Sequence, residues 1–179
     1  MDASLGGQAP GARRKFAAVC DPRPSAIVVR CSDPRFQAAF DQFIEQELHL
    51  RSGQSIPIIV GGGAGVLGHP EQLPKEFKFL KERIEHCHWI YPTVGRIVLI
   101  NHEGCRYYEW VEARTMGLLG SRVSLAPEYS REDLSRVARN SREFLAHLGC
   151  RVEFYYAKFV DPELYGQSCA GWRSPRQSA

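Results

Sequence analysis

Two β-branched apolar runs, Ala26-Ile27-Val28-Val29-Arg30 and Arg96-Ile97-Val98-Leu99-Ile100-Asn101, constrain this chain more than anything else in it, because each runs straight into a cluster of metal-binding residue types. The first is followed by Cys31-Ser32-Asp33-Pro34-Arg35, the second by His102-Glu103-Gly104-Cys105. Runs that are apolar on both faces read as central strands of a parallel sheet. Both clusters therefore emerge at carboxyl ends of strands in one open sheet, which is where ligand sites form. Two thiols and an imidazole on that edge, Cys31, Cys105 and His102, make a three-ligand zinc site with one position open. That is the catalytic pattern and not the closed, four-ligand structural one.

Elsewhere the chain alternates helical and strand periodicities, which predicts an α/β fold with a central, mainly parallel sheet of four to five strands flanked by helices. Phe36, Phe40, Phe43, Ile44 and Leu48 fall at helical spacing behind the first strand. Ser55-Ile56-Pro57-Ile58-Ile59-Val60 reads as a second strand ending in Gly61-Gly62-Gly63-Ala64-Gly65. Phe77, Leu80, Ile84 and His88 mark the next helix, and Tyr107, Trp110, Val111 and Met116 another behind Cys105. The longest helix is expected over about 131–148, with Leu134, Val137, Ala138, Leu145 and Leu148 inward and Gly149 as its stop. Arg151 to Val160 reads as the closing strand. Residues 1–24, rich in Gly, Ala, Pro and Arg, and 166–179, rich in Ser, Arg and Gly, read as tails on a single domain over 25–165.

Charge and composition exclude several classes. A formal net charge of +3 is mild, and outside Arg13-Arg14-Lys15 the cations are dispersed with no basic face, so no nucleic-acid partner is expected. No stretch of 18 apolar residues and no apolar leader occurs, so no membrane association and a cytoplasmic location are expected. The six cysteines are accordingly expected as reduced thiols. Cys20, Cys87, Cys150 and Cys169 have no comparable partners and read as buried or tail thiols. His86-Cys87-His88 is no metal cluster, because adjacent helix positions point to different faces; His88 is expected inward.

Cys-x-Asp-x-Arg ending one strand, a Gly-rich Ala-Gly segment ending the next and His-x-x-Cys ending a third resemble the β-class carbonic anhydrases over roughly Ser25 to Asp161. The resemblance implies zinc held by Cys31, His102 and Cys105, with Asp33 and Arg35 as a catalytic dyad. It implies hydration of carbon dioxide to bicarbonate, and a homodimer or higher homo-oligomer. The chain departs from the family pattern in carrying Gly62-Gly63 before its Ala-Gly and Val66 after it, and Arg106 after Cys105. It is also shorter before the first strand, where the family's helices embrace a partner. These changes surround the substrate pocket. A related hydrolase of carbon disulfide or carbonyl sulfide, and a non-catalytic zinc-binding protein, are therefore the alternatives.

The physical reading of the five residues is consistent with that chemistry. Thiolate is the metal-binding form of Cys, and a helix N-terminus beyond a strand end favours it. Two thiolates cancel the zinc charge, so water at the open position is acidified less than on a zinc held by three imidazoles. Asp33 can accept a hydrogen bond there, and Arg35 can hold Asp33 ionised through a bidentate pair. Asp33-Pro34 is also a good helix start, with Asp as N-cap and Pro at the first position, which is a purely structural alternative. Gly63-Ala64-Gly65-Val66-Leu67-Gly68 matches a dinucleotide fingerprint, but Pro70 interrupts the helix it should open and Asn101, not an acid, ends the following strand. The glycines read instead as a backbone passing close to the metal site. His49, His69 and Tyr107 are candidates for moving the proton to solvent. The apolar strand Arg151 to Val160 is the edge expected to meet a partner subunit.

Overall fold

A computed structural model describes Ala18 and residues 22–119, 131–159 and 170–173. Strands β1 (Ala26–Cys31), β2 (Ser55–Val60), β3 (Arg96–His102) and β4 (Arg151–Phe159) form a parallel sheet, joined by helices α1 (Gln37–Gln46), α2 (Pro74–Ile90), α3 (Arg106–Leu119) and α4 (Arg131–Leu145). A fifth strand, β5 (Ala170–Arg173), adds antiparallel to β4, and the sheet order is β2-β1-β3-β4-β5. This is the α/β architecture expected from the alternating pattern.

The order places the candidate site. From β1 the chain first moves to one side to make β2, then returns to the other side to make β3, which pairs with β1 from Ala26↔Arg96 to Val29↔Leu99. The ends of β1 and β3 therefore flank the point where the winding reverses, the crevice that open α/β sheets use for ligands. Cys31 closes β1 and His102 closes β3.

Burial on both faces accounts for the unbroken apolar runs. Ile27, Val29, Ile97 and Leu99 pack with Leu80 and Ile84 of α2 and Val137 and Leu145 of α4. Ala26, Val28, Val98 and Ile100 pack on the other face with Phe36, Phe40 and Phe43. Each fully buried Ile, Leu or Phe contributes about 1.5–3 kcal/mol of transfer free energy, so two such layers fix the register of the strands that carry the site. At the opposite end of β3 and β4, Arg96 donates from Nε and Nη2 to the buried Glu153 carboxylate at 3.0 Å each, and Tyr155 Oη donates to it at 3.0 Å.

Several expectations are corrected. Ala170–Arg173 lies inside the segment 166–179 read as a tail, yet these four residues pair with Tyr156–Phe159. β4 is thereby covered and is not the sheet edge; among the described residues the edge strands are β2 and the short β5. Pro57, in the middle of β2, fits that position because it has no N–H to give to a further strand. Trp110, one of the residues whose spacing marks this helix, is 53 % exposed, while α3 turns Tyr108 and Val111 inward. The long helix ends as α4 at Leu145 and continues as a 3₁₀ turn to Leu148, stopped by Gly149 at φ +65°. His88 is half-buried, as its spacing predicts. Val160, Cys20 and Cys169 lie outside the described residues, and so does the side chain of Met116. Among the described residues no helix is long and apolar enough to cross a membrane.

Candidate metal centre

Two turns carry the site. Beyond β1 the chain leaves extended geometry at Asp33, whose Oδ1 accepts the Arg35 backbone N–H at 3.0 Å, and Pro34 opens a 3₁₀ turn that leads into α1. The capping role that competed with catalysis for Asp33 is therefore occupied. It does not exhaust the carboxylate. Arg35 Nε donates to Oδ1 at 3.0 Å and Nη2 to Oδ2 at 2.7 Å, a bidentate pair with Asp33 buried and Arg35 at the rim. Beyond β3, Gly104 takes φ +58°, a left-handed corner that returns the chain so that Cys105 faces back toward His102.

These turns bring Cys31, His102 and Cys105 together, all three buried, with one donor atom from each within 4.8 Å of the others. Among the described residues no other group of His, Cys, Asp or Glu converges in this way. The sulfurs of Cys31 and Cys105 lie 3.7 Å apart. Two thiolates on one tetrahedral zinc, each with a Zn–S bond of about 2.3 Å, would stand about 3.8 Å apart, so the pair has the spacing that ion requires. His102 Nδ1 lies 2.9 Å from the Glu103 carbonyl, which can only accept. The ring proton is thus on Nδ1, and Nε2 presents a bare lone pair. That Nε2 is buried without a hydrogen-bond partner, a costly arrangement in the protein alone that a metal ligand would relieve. The donor set fits zinc.

The electrostatics agree. The Cys31 thiol is drawn downward, chiefly by its hydrogen bond with Cys105 and against burial. Cys105 is driven upward by the same contact, by burial and by the Cys31 charge. The contact thus favours charge on one sulfur and opposes it on the other, and a cation between them would favour thiolate at both. The Asp33 carboxyl is held below its ordinary range, first by the Arg35 side chain and then, against burial, by the Arg35 backbone N–H.

Other residues complete the surroundings. Phe36 packs against the His102 ring at a tilt of 39° with centroids 4.4 Å apart, and Phe40 meets it edge-on at 6.2 Å. The glycine segment runs beside the strand ends as expected. A Cβ on Gly63, which sits at φ +53°, would stand 2.8 Å from the Cys31 backbone N. Its Gly65 N–H is already used, donating to Asn101 Oδ1 at 2.8 Å. No α-helix opens at these glycines; α2 starts at Pro74, so the dinucleotide context is missing.

Of the shuttle candidates, His49 is exposed on the connection into the start of β2, at the edge of the sheet opposite the site. His69 is buried, with its ring 6.2 Å from that of Tyr108. Tyr107 packs on Gly61 and Gly62 and lines a cleft of about 320 Å³ with Val60, Val66, Phe79 and Leu80. None of the three convergent residues lines that cleft.

Sequence reasoning missed three supports. Gln37 donates from Nε2 to the carbonyls of Cys31 and Asp33, the Glu103 carboxylate accepts the Phe159 N–H at 3.1 Å, and the Phe159 ring lies 5.2 Å from the Arg35 guanidinium carbon. Asn101 did leave a signal, as a polar residue inside a buried strand run.

No protein-family model matches the chain, and no curated protein matches it in sequence. Among solved structures it is similar to one of two tetrameric β-carbonic anhydrases from the filamentous ascomycete Sordaria macrospora, at 14% identity over 77% of each chain with a TM-score of 0.41. It is also similar to β-carbonic anhydrase isoform I of the protozoan Trichomonas vaginalis, at 14% identity over 89% of this chain and 87% of that one, with a TM-score of 0.45. Neither likeness bears on the site, whose reading rests on three converging donors and one part-buried ion pair.

Proposed function

We propose that this chain is a zinc-dependent enzyme that hydrates carbon dioxide to bicarbonate. The observation that carries the reading is the convergence of Cys31, His102 and Cys105 within 4.8 Å beside a bidentate Asp33–Arg35 pair. Cys31, His102 and Cys105 would hold the metal, and zinc bound there supplies Lewis-acid activation of water. Asp33, kept ionised by Arg35, has lone-pair capacity beyond its bonds to that residue and can accept a hydrogen bond from the attacking water, orienting it. Arg35 Nη2 also donates to the Gly104 carbonyl, so one guanidinium ties the Cys31 turn to the His102–Cys105 turn. Phe36 and Phe40 pack against the His102 ring and shield it from water. The reaction yields bicarbonate and one proton, which must reach solvent.

Two thiolates cancel most of the cation's charge, so water is acidified weakly there. The rate of the zinc-loaded chain is therefore expected to be low near pH 7 and to rise toward about pH 8 and above. Stopped-flow hydration across that range tests this, with carbonyl sulfide and carbon disulfide run beside carbon dioxide. Turnover of a sulfur analogue alone would move the substrate and keep the mechanism. A zinc-replete chain inert toward all three would leave a zinc-binding protein without catalysis. The thiol pair requires reduced cysteines, which a cytoplasmic location maintains.

The working form is proposed to be a homodimer or a multiple of one. Support moves from the last strand to β2, an edge whose Ile59 is 45 % exposed. Light scattering at micromolar concentration is expected to give at least twice the mass of one chain; a monomer would count against it.

A further inference from the structure

We infer that Gln37 is a positioning residue of the metal centre, whose carboxamide sets the turn that presents both Cys31 and Asp33. The inference rests on the metal-binding part of the reading above and is independent of the substrate. The pairing of β1 with β3 stops at Val29 while that with β2 runs on to Cys31, so a carbonyl beyond Val29 on the β3 side needs a donor from elsewhere. Gln37, the first residue of α1, reaches back over the turn and places its Nε2 2.9 Å from the Cys31 carbonyl and 2.7 Å from the Asp33 carbonyl. Both partners can only accept. The amide orientation is therefore fixed by chemistry, and both of its hydrogens are committed.

One side chain thus cross-links the residue that bears a metal thiolate to the residue that bears the dyad carboxylate. The span between them is the single residue Ser32, which is exposed and offers no packing of its own. Besides Gln37, the turn is held by the Ser32 N–H, which donates to the Val60 carbonyl at 3.1 Å, and by the Phe36 N–H, which donates to the Asp33 carbonyl at 3.3 Å. Phe36 anchors the far side of the 3₁₀ turn, but the carbonyls that orient Cys31 and Asp33 face Gln37. Groups that orient ligands in this way typically govern metal affinity or activity by 10–100-fold.

Gln37→Glu is the sharp test, because it keeps size and length while turning two donors into acceptors aimed at two carbonyl oxygens. Zinc affinity of the full chain, measured by competition with a chelator, is expected to fall about 10–100-fold in Gln37→Glu. The thiolate-to-metal absorption of the cobalt(II)-loaded variant is expected to change as well. Gln37→Lys, which restores donors at similar reach, is expected to recover affinity to within about threefold of the original chain. If circular dichroism shows that Gln37→Glu does not fold, Gln37→Ala takes its place, with an expected loss of about tenfold. Unchanged affinity and spectrum in whichever variant folds would overturn the inference. So would a lower melting temperature of the metal-free variant with zinc affinity intact, which marks a scaffold role, or a Gln37→Lys chain as weak as Gln37→Glu. An original chain that binds no zinc would be a different failure, overturning the metal centre itself.

Discussion

Metal analysis of the purified chain is expected to find about one zinc per molecule, and Cys31→Ser, His102→Ala and Cys105→Ser to retain less than about a tenth of it after dialysis against a chelator. The size of the effect follows from how few donors there are. Three side chains would carry the whole protein share of the coordination, and each converges from a different place: the end of β1, the end of β3 and the start of α3. Removing either sulfur takes away a negative charge as well as a ligand, and no buried neighbour can replace it. Removing the imidazole empties the space against Phe36 and takes away the one buried ring nitrogen that lacks a partner among the described residues. Cys87→Ser and Cys150→Ser provide the control. Both thiols are half-buried and free, burial pushes both upward, and neither belongs to the convergent group, so both variants are expected to keep full zinc. Full occupancy in all three ligand variants would remove the site from consideration.

The part of this site that could be read in the sequence is the part set by strand ends. Ile27 to Val29 and Ile97 to Ile100 are apolar at every position because helices cover both faces of the sheet, and that continuous pattern, unlike a two-residue alternation, points to parallel central strands. Once the strands are parallel and adjacent, Cys31 and His102 must come out on the same edge. Pro57 suits the edge position of β2 through its missing N–H, whereas the apolar pattern pointed to Arg151 to Val160 as the edge. What stayed hidden depends on contacts between distant segments. Ala170-Gly171-Trp172-Arg173 has no alternation and includes a glycine, and it becomes a strand because β4 offers it an open edge. Tyr107, Trp110 and Val111 fit a helix stripe equally well by spacing, yet the wall formed by Cys31, Cys105 and Leu73 admits Tyr108 and Val111 and leaves Trp110 outside. Glu103 and Phe159 lie 56 residues apart and meet only because β3 and β4 are neighbours.

Arg35→Ala is expected to lower the hydration rate about 100-fold while most of the zinc is retained. The two effects separate because of which atoms make the contacts. The cap on the turn after β1 uses the Arg35 backbone N–H, bonded to Asp33 Oδ1 at 3.0 Å, and truncating the side chain leaves it in place. The Gly104 carbonyl that loses Nη2 is exposed at that contact, so water can take over the bond and the His102–Cys105 turn keeps its shape. What disappears is the bidentate partner of a buried carboxylate. With the guanidinium gone, burial is the main influence left on Asp33, and burial raises a carboxyl. Its acid form then persists to higher pH than in the original chain, so the acid limb of the rate profile is expected to move upward in pH. Arg35→Lys should not restore the rate, because a point charge cannot make the paired Nε and Nη2 bonds that hold both oxygens. Stopped-flow rates with parallel zinc analysis decide it. An Arg35→Ala chain as active as the original would return Arg35 to the start of a helix and leave Asp33 as its N-cap.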